Sequence, residues 1–162
     1  MRRRGYGVKL ERIRFFPTCK SAKSHFLHRT VIGLGGNQGD VKKRFVKLYR
    51  LLLNDPRFYV QESSMVFQNP PFGYLDQPDF YNAVIVLQTS LSAKALLKVL
   101  LRLEHLFGRV RLFKNGPRTL DLDIIFFDNQ KINQPNLIVP HPRWRERASV
   151  IVPLFTLKSF KG

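Results

Sequence analysis

Two aspartates, Asp121 and Asp123, stand two apart in the run NGPRTLDLDIIFF (115–127), which otherwise reads as a β-strand. Side chains two apart on a strand share a face. The two carboxylates therefore project side by side, with Leu120, Leu122, Ile124 and Phe126 expected on the other face. Like charges that close repel and raise a carboxyl pKa unless a cation lies between them. Hard oxygen donors of this kind suit magnesium, which one or two carboxylates hold together with the phosphates of a nucleotide. A bare Asp-x-Asp is more often a solvated strand face. The neighbours argue otherwise here: Arg118 comes just before the pair, and Arg109 and Arg111 a few residues earlier. Arginines beside such a pair are placed to clamp a polyphosphate.

The elements that must position these residues follow from periodicity. TVIGLGGNQGD (30–40) reads as a strand entering a glycine-rich turn, with Asp40 as a helix N-cap. No Gly-Lys-Ser/Thr follows, so it is not a Walker loop, and Gln38 stands where a dinucleotide fingerprint needs its third glycine. A helix is expected over 40–54, because Val41, Phe45, Leu48 and Leu52 form one stripe. Residues 58–67 alternate as a strand, a loop opens at Asn69 and runs to Asp79, and Phe80–Gln88 is the next strand. Phe80 and Asn82 share a face of it. A second helix is expected over 92–107, stopped by Gly108, and the basic loop 109–118 leads back to the aspartates. From Thr30 the order is β-α-β-β-α-β. That order predicts an α+β fold, a ferredoxin-like sandwich with an antiparallel sheet and its helices on one face. The tail holds VPHPRWRER (139–147) and an apolar run, Val150–Leu157.

A length of 162 residues fits one cored domain, assigned to 30–162, preceded by a basic extension, 1–29. The extension carries nine Lys/Arg against one acid, within a net charge of +17. Such a balance predicts anionic partners, nucleic acid or phosphorylated small molecules. Tyr6, Val8 and Leu10 alternate and Ile13 and Phe15 resume in shifted phase. The extension is thus either one or two bulged strands on a sheet edge or an Arg-rich leader. It is read as dispensable, so a chain beginning at Arg29 should keep its activity. No apolar run reaches the roughly 18 residues of a membrane span. A single cysteine, Cys19, excludes an internal disulfide and favours a reducing, cytoplasmic setting.

With these pieces in order, the chain resembles the 6-hydroxymethyl-7,8-dihydropterin pyrophosphokinase family of folate biosynthesis over residues 30–157. The motifs that carry the resemblance are GLGGNQGD (33–40), NPPFGYLDQPDFYNA (69–83), LEHLFGRVR (103–111), GPRTLDLDI (116–124) and VPHPRWRER (139–147). It implies transfer of pyrophosphate from ATP to the pterin hydroxymethyl oxygen, releasing AMP, with two magnesium ions. Asp121 and Asp123 match the metal ligands, and Asp123 is also the nearest acceptor for the hydroxyl proton. Arg109 and Arg118 match loop arginines that stabilise charge in transfer. Arg111, His141 and Arg147 match positions holding phosphates and ribose, and Glu104 and Ile124 match positions lining the nucleotide site. For the pterin, Asn82 matches the amide that pairs with the ring edge and Phe80 the stacking aromatic. Asn69, Pro71 and Phe72 match a segment of backbone contacts. The partners implied are ATP and the pterin, handled by a monomer, with loops 69–79 and 109–118 closing over them.

Three residues depart from the family pattern. Ser149 stands where a second stacking aromatic is common, so Trp144 or a loop aromatic is the candidate replacement. Asn115 and Pro142 stand in place of an aromatic and a tyrosine. Taken alone, Glu104 and His105 read most simply as a solvated helix face, His141 as a turn residue and Phe80 as core. The rival reading is a basic ferredoxin-like module binding RNA on its sheet. It lacks the aromatic strand motif of such modules and carries two acids where RNA phosphates would lie.

Overall fold

The computed structural model describes residues 9–23, 25–71, 73–109 and 113–160. Two short strands come first, β1 (Lys9–Glu11) and β2 (Thr18–Cys19), then β3 (His28–Gly36), α1 (Val41–Leu53), β4 (Phe58–Ser63) and β5 (Val66–Asn69). After these come β6 (Phe80–Thr89), α2 (Ala93–Leu106), β7 (Asp121–Phe127), a hairpin of β8 (Ile132–Gln134) and β9 (Leu137–Val139), and α3 (Ala148–Thr156).

Both expected helices start on side-chain caps. Asp40 Oδ1 accepts from Lys43 N at 3.1 Å, and Ser92 Oγ accepts from Ala95 N at 3.2 Å. Each cap satisfies an N–H that the first helical turn leaves without a partner. The buried stripe of α1 is Val41, Phe45, Leu48, Tyr49 and Leu52, one residue wider than the sequence stripe. Both helices lie on one face of the sheet, over Ile32, Leu34, Ala83, Ile85, Leu87, Leu122 and Ile124.

The sheet is antiparallel, in the order β1-β5-β6-β3-β7, with β4 also pairing β6 and β2 pairing β4. The run expected as one strand over 58–67 is two. β4 and β5 lie along successive halves of β6, and the chain bends between them at Ser64 and Met65. Ser64 bridges the gap in the ladder: its N donates to Val84 O, and its Oγ accepts from Val84 N at 2.9 Å.

Helices cover both faces, which corrects the one-sided arrangement expected from the sequence. Residues 148–156 of the apolar tail form α3, which packs Val150 and Leu154 on Val31, Val84, Val86 and Ile125. The central strands are apolar on both sides, so a second layer is needed to bury the second face. Phe126 also departs from the expected alternation. The ladder of β3 with β7 slips between Val31 and Ile32, where a bulge brings Phe126 to the same side as Ile125, towards α3. A bulge inserts one residue and reverses the facing of those beyond it.

Residues before Thr30 are structured where described. β3 begins at His28, β1 and β2 pair with β5 and β4, and Phe16 is fully buried against Phe45 and Tyr49.

Candidate active site

Beyond the end of α3, the second face of the sheet is left open. Its floor is Gly33 and Gly35 of β3, where a side chain would collide: a Cβ on Gly35 would stand 2.8 Å from Asn82 Oδ1. That bare backbone lets the Asn82 amide lie across β3, 8% exposed. Asn82 Nδ2 donates to Asn69 Oδ1, so the ends of β5 and β6 hold each other. Around the floor an open cavity of about 110 Å³ is lined by Asn69, Phe80, Arg118, Asp121, His141 and Arg147, among others.

Asp121 and Asp123 share the open face of β7, in register with Gly35 and Gly33. Each Asp121 oxygen has a cation: Arg109 Nη1 is 3.0 Å from Oδ1, and Arg118 Nη1 is 2.8 Å from Oδ2. Asp123 stands open to the cavity without an ion pair among the described residues. The enclosing walls still strip its hydration, and with the neighbouring Asp121 charge they push its pKa up to about 6. Arg109, Arg147 and Arg118 pull the other way. The dominant cause is desolvation, which disfavours any charged form.

Glu104 corrects a sequence reading. It is buried rather than solvated, at 4% exposure, because α2 turns it inward onto β7. Its Oε2 accepts from Leu122 N at 2.8 Å and from Arg109 Nη1. Burial pushes the Glu104 pKa up to about 7, against the Leu122 bond and the Arg109 charge. Glu104 thus supports Arg109 and does not itself line the cavity. Ile124 is likewise packed on the helix side, and Ile125 lines the cavity in its place. Pro71 is not among the lining residues, while Arg111 and Phe72 lie outside the described residues.

His141 enters the site after the β9 turn, where its N donates to Ile125 O at 2.9 Å. Its Nδ1 accepts from Arg143 N at 3.2 Å, which leaves Nε2 as the protonated nitrogen of the neutral ring. Burial and the Arg147 charge lower its pKa, opposed by Asp121.

The replacement expected from Trp144 is not made. Trp144 meets Phe126 and Phe160 edge-on within the α3 cluster and does not line the cavity, whereas Ser149 does. Phe80 carries Arg118 over its ring at 5.6 Å, a cation–π distance. Asn115 adopts φ 59°, a left-handed conformation that asparagine enters more readily than an aromatic does.

Sequence reasoning missed Asn37, whose only signal was a polar residue following a glycine run. It is buried and ties three loops together. Its Oδ1 accepts from Arg118 N at 3.0 Å, and its Nδ2 donates to Gln77 Oε1 at 2.9 Å and Pro78 O at 3.0 Å. Gln77 Nε2 in turn donates to Asn115 O at 2.8 Å. The two loops expected to close over substrates are thereby joined to each other and to the glycine turn.

Residues 31–159, most of the chain, match the model of the family described as 7,8-dihydro-6-hydroxymethylpterin-pyrophosphokinase. The chain belongs to that family. It is 47% identical to 2-amino-4-hydroxy-6-hydroxymethyldihydropteridine pyrophosphokinase of Campylobacter jejuni, over 91% of this chain and 95% of that protein. The protein of the same name from Helicobacter pylori is 43% identical, over 87% and 88%. That from Bacillus subtilis is 39% identical, over 76% and 74%. The C. jejuni match takes in more of this chain than the stretch from Thr30 onward contains, so it includes part of the N-terminal segment. The RNA-binding rival has no support: α3 covers part of the sheet face it needs, and the two aspartates stand on the open part.

Proposed function

We propose that this chain transfers the terminal pyrophosphoryl group of ATP to the hydroxyl of 6-hydroxymethyl-7,8-dihydropterin, giving the pterin diphosphate and AMP in folate biosynthesis. The observation that carries the reading is the joint placement of an aspartate pair, flanking arginines and the Phe80–Asn82 shelf around one cavity. In the reaction the substrate oxygen bonds to the β-phosphorus as the bridge to the α-phosphate breaks, and AMP leaves. Phosphoryl transfer of this kind depends mostly on positioning and on charge stabilisation.

The carboxylate pair fits a divalent cation. Asp121 raises the pKa of Asp123 by repulsion, which a cation between them relieves. Among the described residues there is no group of three metal-ligating side chains, so further ligands would come from nucleotide phosphates. Asp121 and Asp123 would hold two magnesium ions, whose chemistry is to neutralise the phosphate oxygens. Arg109 and Arg118 stabilise charge on the transferring group, His141 and Arg147 bind the nucleotide, and Asp123 stands nearest to receive the hydroxyl proton. Roles for Arg111, Ile124 and Glu104 at the nucleotide, and for Pro71 and Phe72 at the pterin, remain part of the proposal on the family resemblance alone. Asn82 offers both donor and acceptor to the mixed ring edge, and Phe80 offers a face once Arg118 withdraws.

The strand order supports a ferredoxin-like reading of β3 to β7, to which α3 and the N-terminal strands are added. A monomeric catalyst remains part of the proposal on the family resemblance alone. The free, exposed thiol of Cys19 supports a cytoplasmic location, and no helix among the described residues is long and apolar enough to cross a membrane. The test is to mix the chain with ATP, magnesium and the pterin and follow AMP. AMP whose formation depends on the pterin supports the reading, and ATP turnover that ignores the pterin defeats it.

A further inference from the structure

The segment before Thr30 lies outside the family match, yet its described part is built into the edge of the sheet that leads to the site. β1 pairs with β5 in the register Lys9 with Gln68, Leu10 with Phe67 and Glu11 with Val66. The next residue of β5 is Asn69, the acceptor for the Asn82 amide. β5 has four residues, and without β1 it would be an edge strand held on one side by three pairs to β6. Strands that short are weakly held alone.

β1 itself is anchored from its C-terminal end onward. Beyond it, the Ile13–Phe16 turn inserts Phe16 into the core, and Thr18 Oγ1 lies 2.8 Å from Tyr49 OH and 2.9 Å from Ser63 Oγ. Phe15 stacks on Tyr49 with ring centroids 4.6 Å apart. Glu11, the last residue of β1, accepts from Lys42 Nζ at 2.7 Å, and that ammonium also lies over the Tyr81 ring at 5.1 Å. Tyr81 sits between Phe80 and Asn82, so the segment pairs directly with β5 and reaches β6 through Lys42.

We propose that residues 9–19 act as a positioning strap for heterocycle recognition. By pairing β1 with β5 they fix Asn69, and through it the orientation in which Asn82 presents its amide to a ring edge. This replaces the expectation that the segment is dispensable, and it rests on the proposed pterin specificity. An Asn82 amide free to rotate presents donor and acceptor in either order. The strap therefore acts on heterocycle affinity and not on the phosphate half of the site.

The test uses the full chain with Lys9→Pro and Leu10→Pro. N–H groups of adjacent strand residues point to opposite sides, so one of the two prolines removes a donor to β5 while the other meets solvent. Leu10 is 37% exposed, so little core is lost with it. One variant should raise the KM for the pterin about five-fold or more, leaving kcat and the KM for ATP within about two-fold. In the same variant the Asn82 side-chain amide should lose its distinct pair of NMR signals, and the other variant should match the wild type. Amide exchange of residues 66–69 in the wild type should be as slow as in β6. Rapid exchange there, or an unchanged pterin KM with unmoved Asn82 signals in both variants, overturns the strap even if one variant folds poorly. A wild-type chain that forms no AMP defeats the proposed function instead, and the Asn82 comparison and exchange still decide the strap.

Discussion

Arg118 Nη1 lies 2.8 Å from Asp121 Oδ2, with its guanidinium also 5.6 Å over the Phe80 ring. One side chain thus joins the carboxylate assigned to the metal and the aromatic assigned to the heterocycle. On the proposed function, a heterocycle stacking on Phe80 would displace the guanidinium and free it for the phosphates. Arg118→Ala should therefore cut kcat by about 10²-fold or more, the scale of losing one preorganised charge stabiliser. The KM for the pterin should change far less, because the aromatic face is then open. Steady-state kinetics with each substrate varied checks this, and a loss confined to KM contradicts it.

Glu104 holds Arg109 against β7. Glu104→Ala leaves Leu122 N without its side-chain acceptor and Arg109 with Asp121 as its remaining carboxylate. The expected cost is about 3 kcal/mol, the lower end for breaking a buried ion pair, since Asp121 still compensates the guanidinium. Urea unfolding measures it, and kcat should fall with it. A variant of wild-type stability contradicts the supporting role.

Much of this frame was legible because the signals are local. The stripe of α1 with its Asp40 cap, the Ser92 cap and the alternation within β6 each lie within one element. What was not legible depends on partners distant in sequence. The break between β4 and β5 rests on Ser64 bonding Val84. The turning of Phe126 towards α3 rests on a bulge that arises only where β7 meets β3. Glu104 reads as solvent-facing until β7 supplies Leu122 N. In the site, Asp121, Asp123, Arg118, Phe80, Asn82, His141 and Arg147 were found by motif and are brought together. Asn37 was not, because a buried asparagine's worth lies in the loops it joins.

Asn37→Ala removes three side-chain hydrogen bonds and weakens the tie between loop 113–118 and loop 74–79, leaving the Gln77 Nε2 bond to Asn115 O. Stability should fall by about 1–3 kcal/mol, since a lost partner leaves buried polar groups unsatisfied. Amide exchange of residues 113–118 should quicken by a similar factor in free energy. Unchanged exchange in both loops argues against the tie.

His141 should titrate below the ordinary histidine value of about 6.5, because burial and Arg147 lower its pKa. The sign of the linkage follows. The unfolded chain takes up this proton more readily than the folded one. His141 therefore contributes no pH dependence above the ordinary value, and stability is lost as pH falls from there through the lowered folded value. An NMR titration of the ring reads the midpoint directly. His141→Gln should flatten this part of the stability profile, and an unchanged profile rejects the assignment.

The central claim is that one cavity passes two phosphates together to the pterin with the aid of Asp121 and Asp123. Phosphorus NMR of a reaction holding ATP, magnesium and 6-hydroxymethyl-7,8-dihydropterin tests it most directly, run beside a chain carrying Asp121→Ala and Asp123→Ala. AMP and a pterin diphosphate should form in equal amounts with the wild type, and neither at a comparable rate with the double variant. ADP with a pterin monophosphate, or equal rates from the two chains, contradicts it.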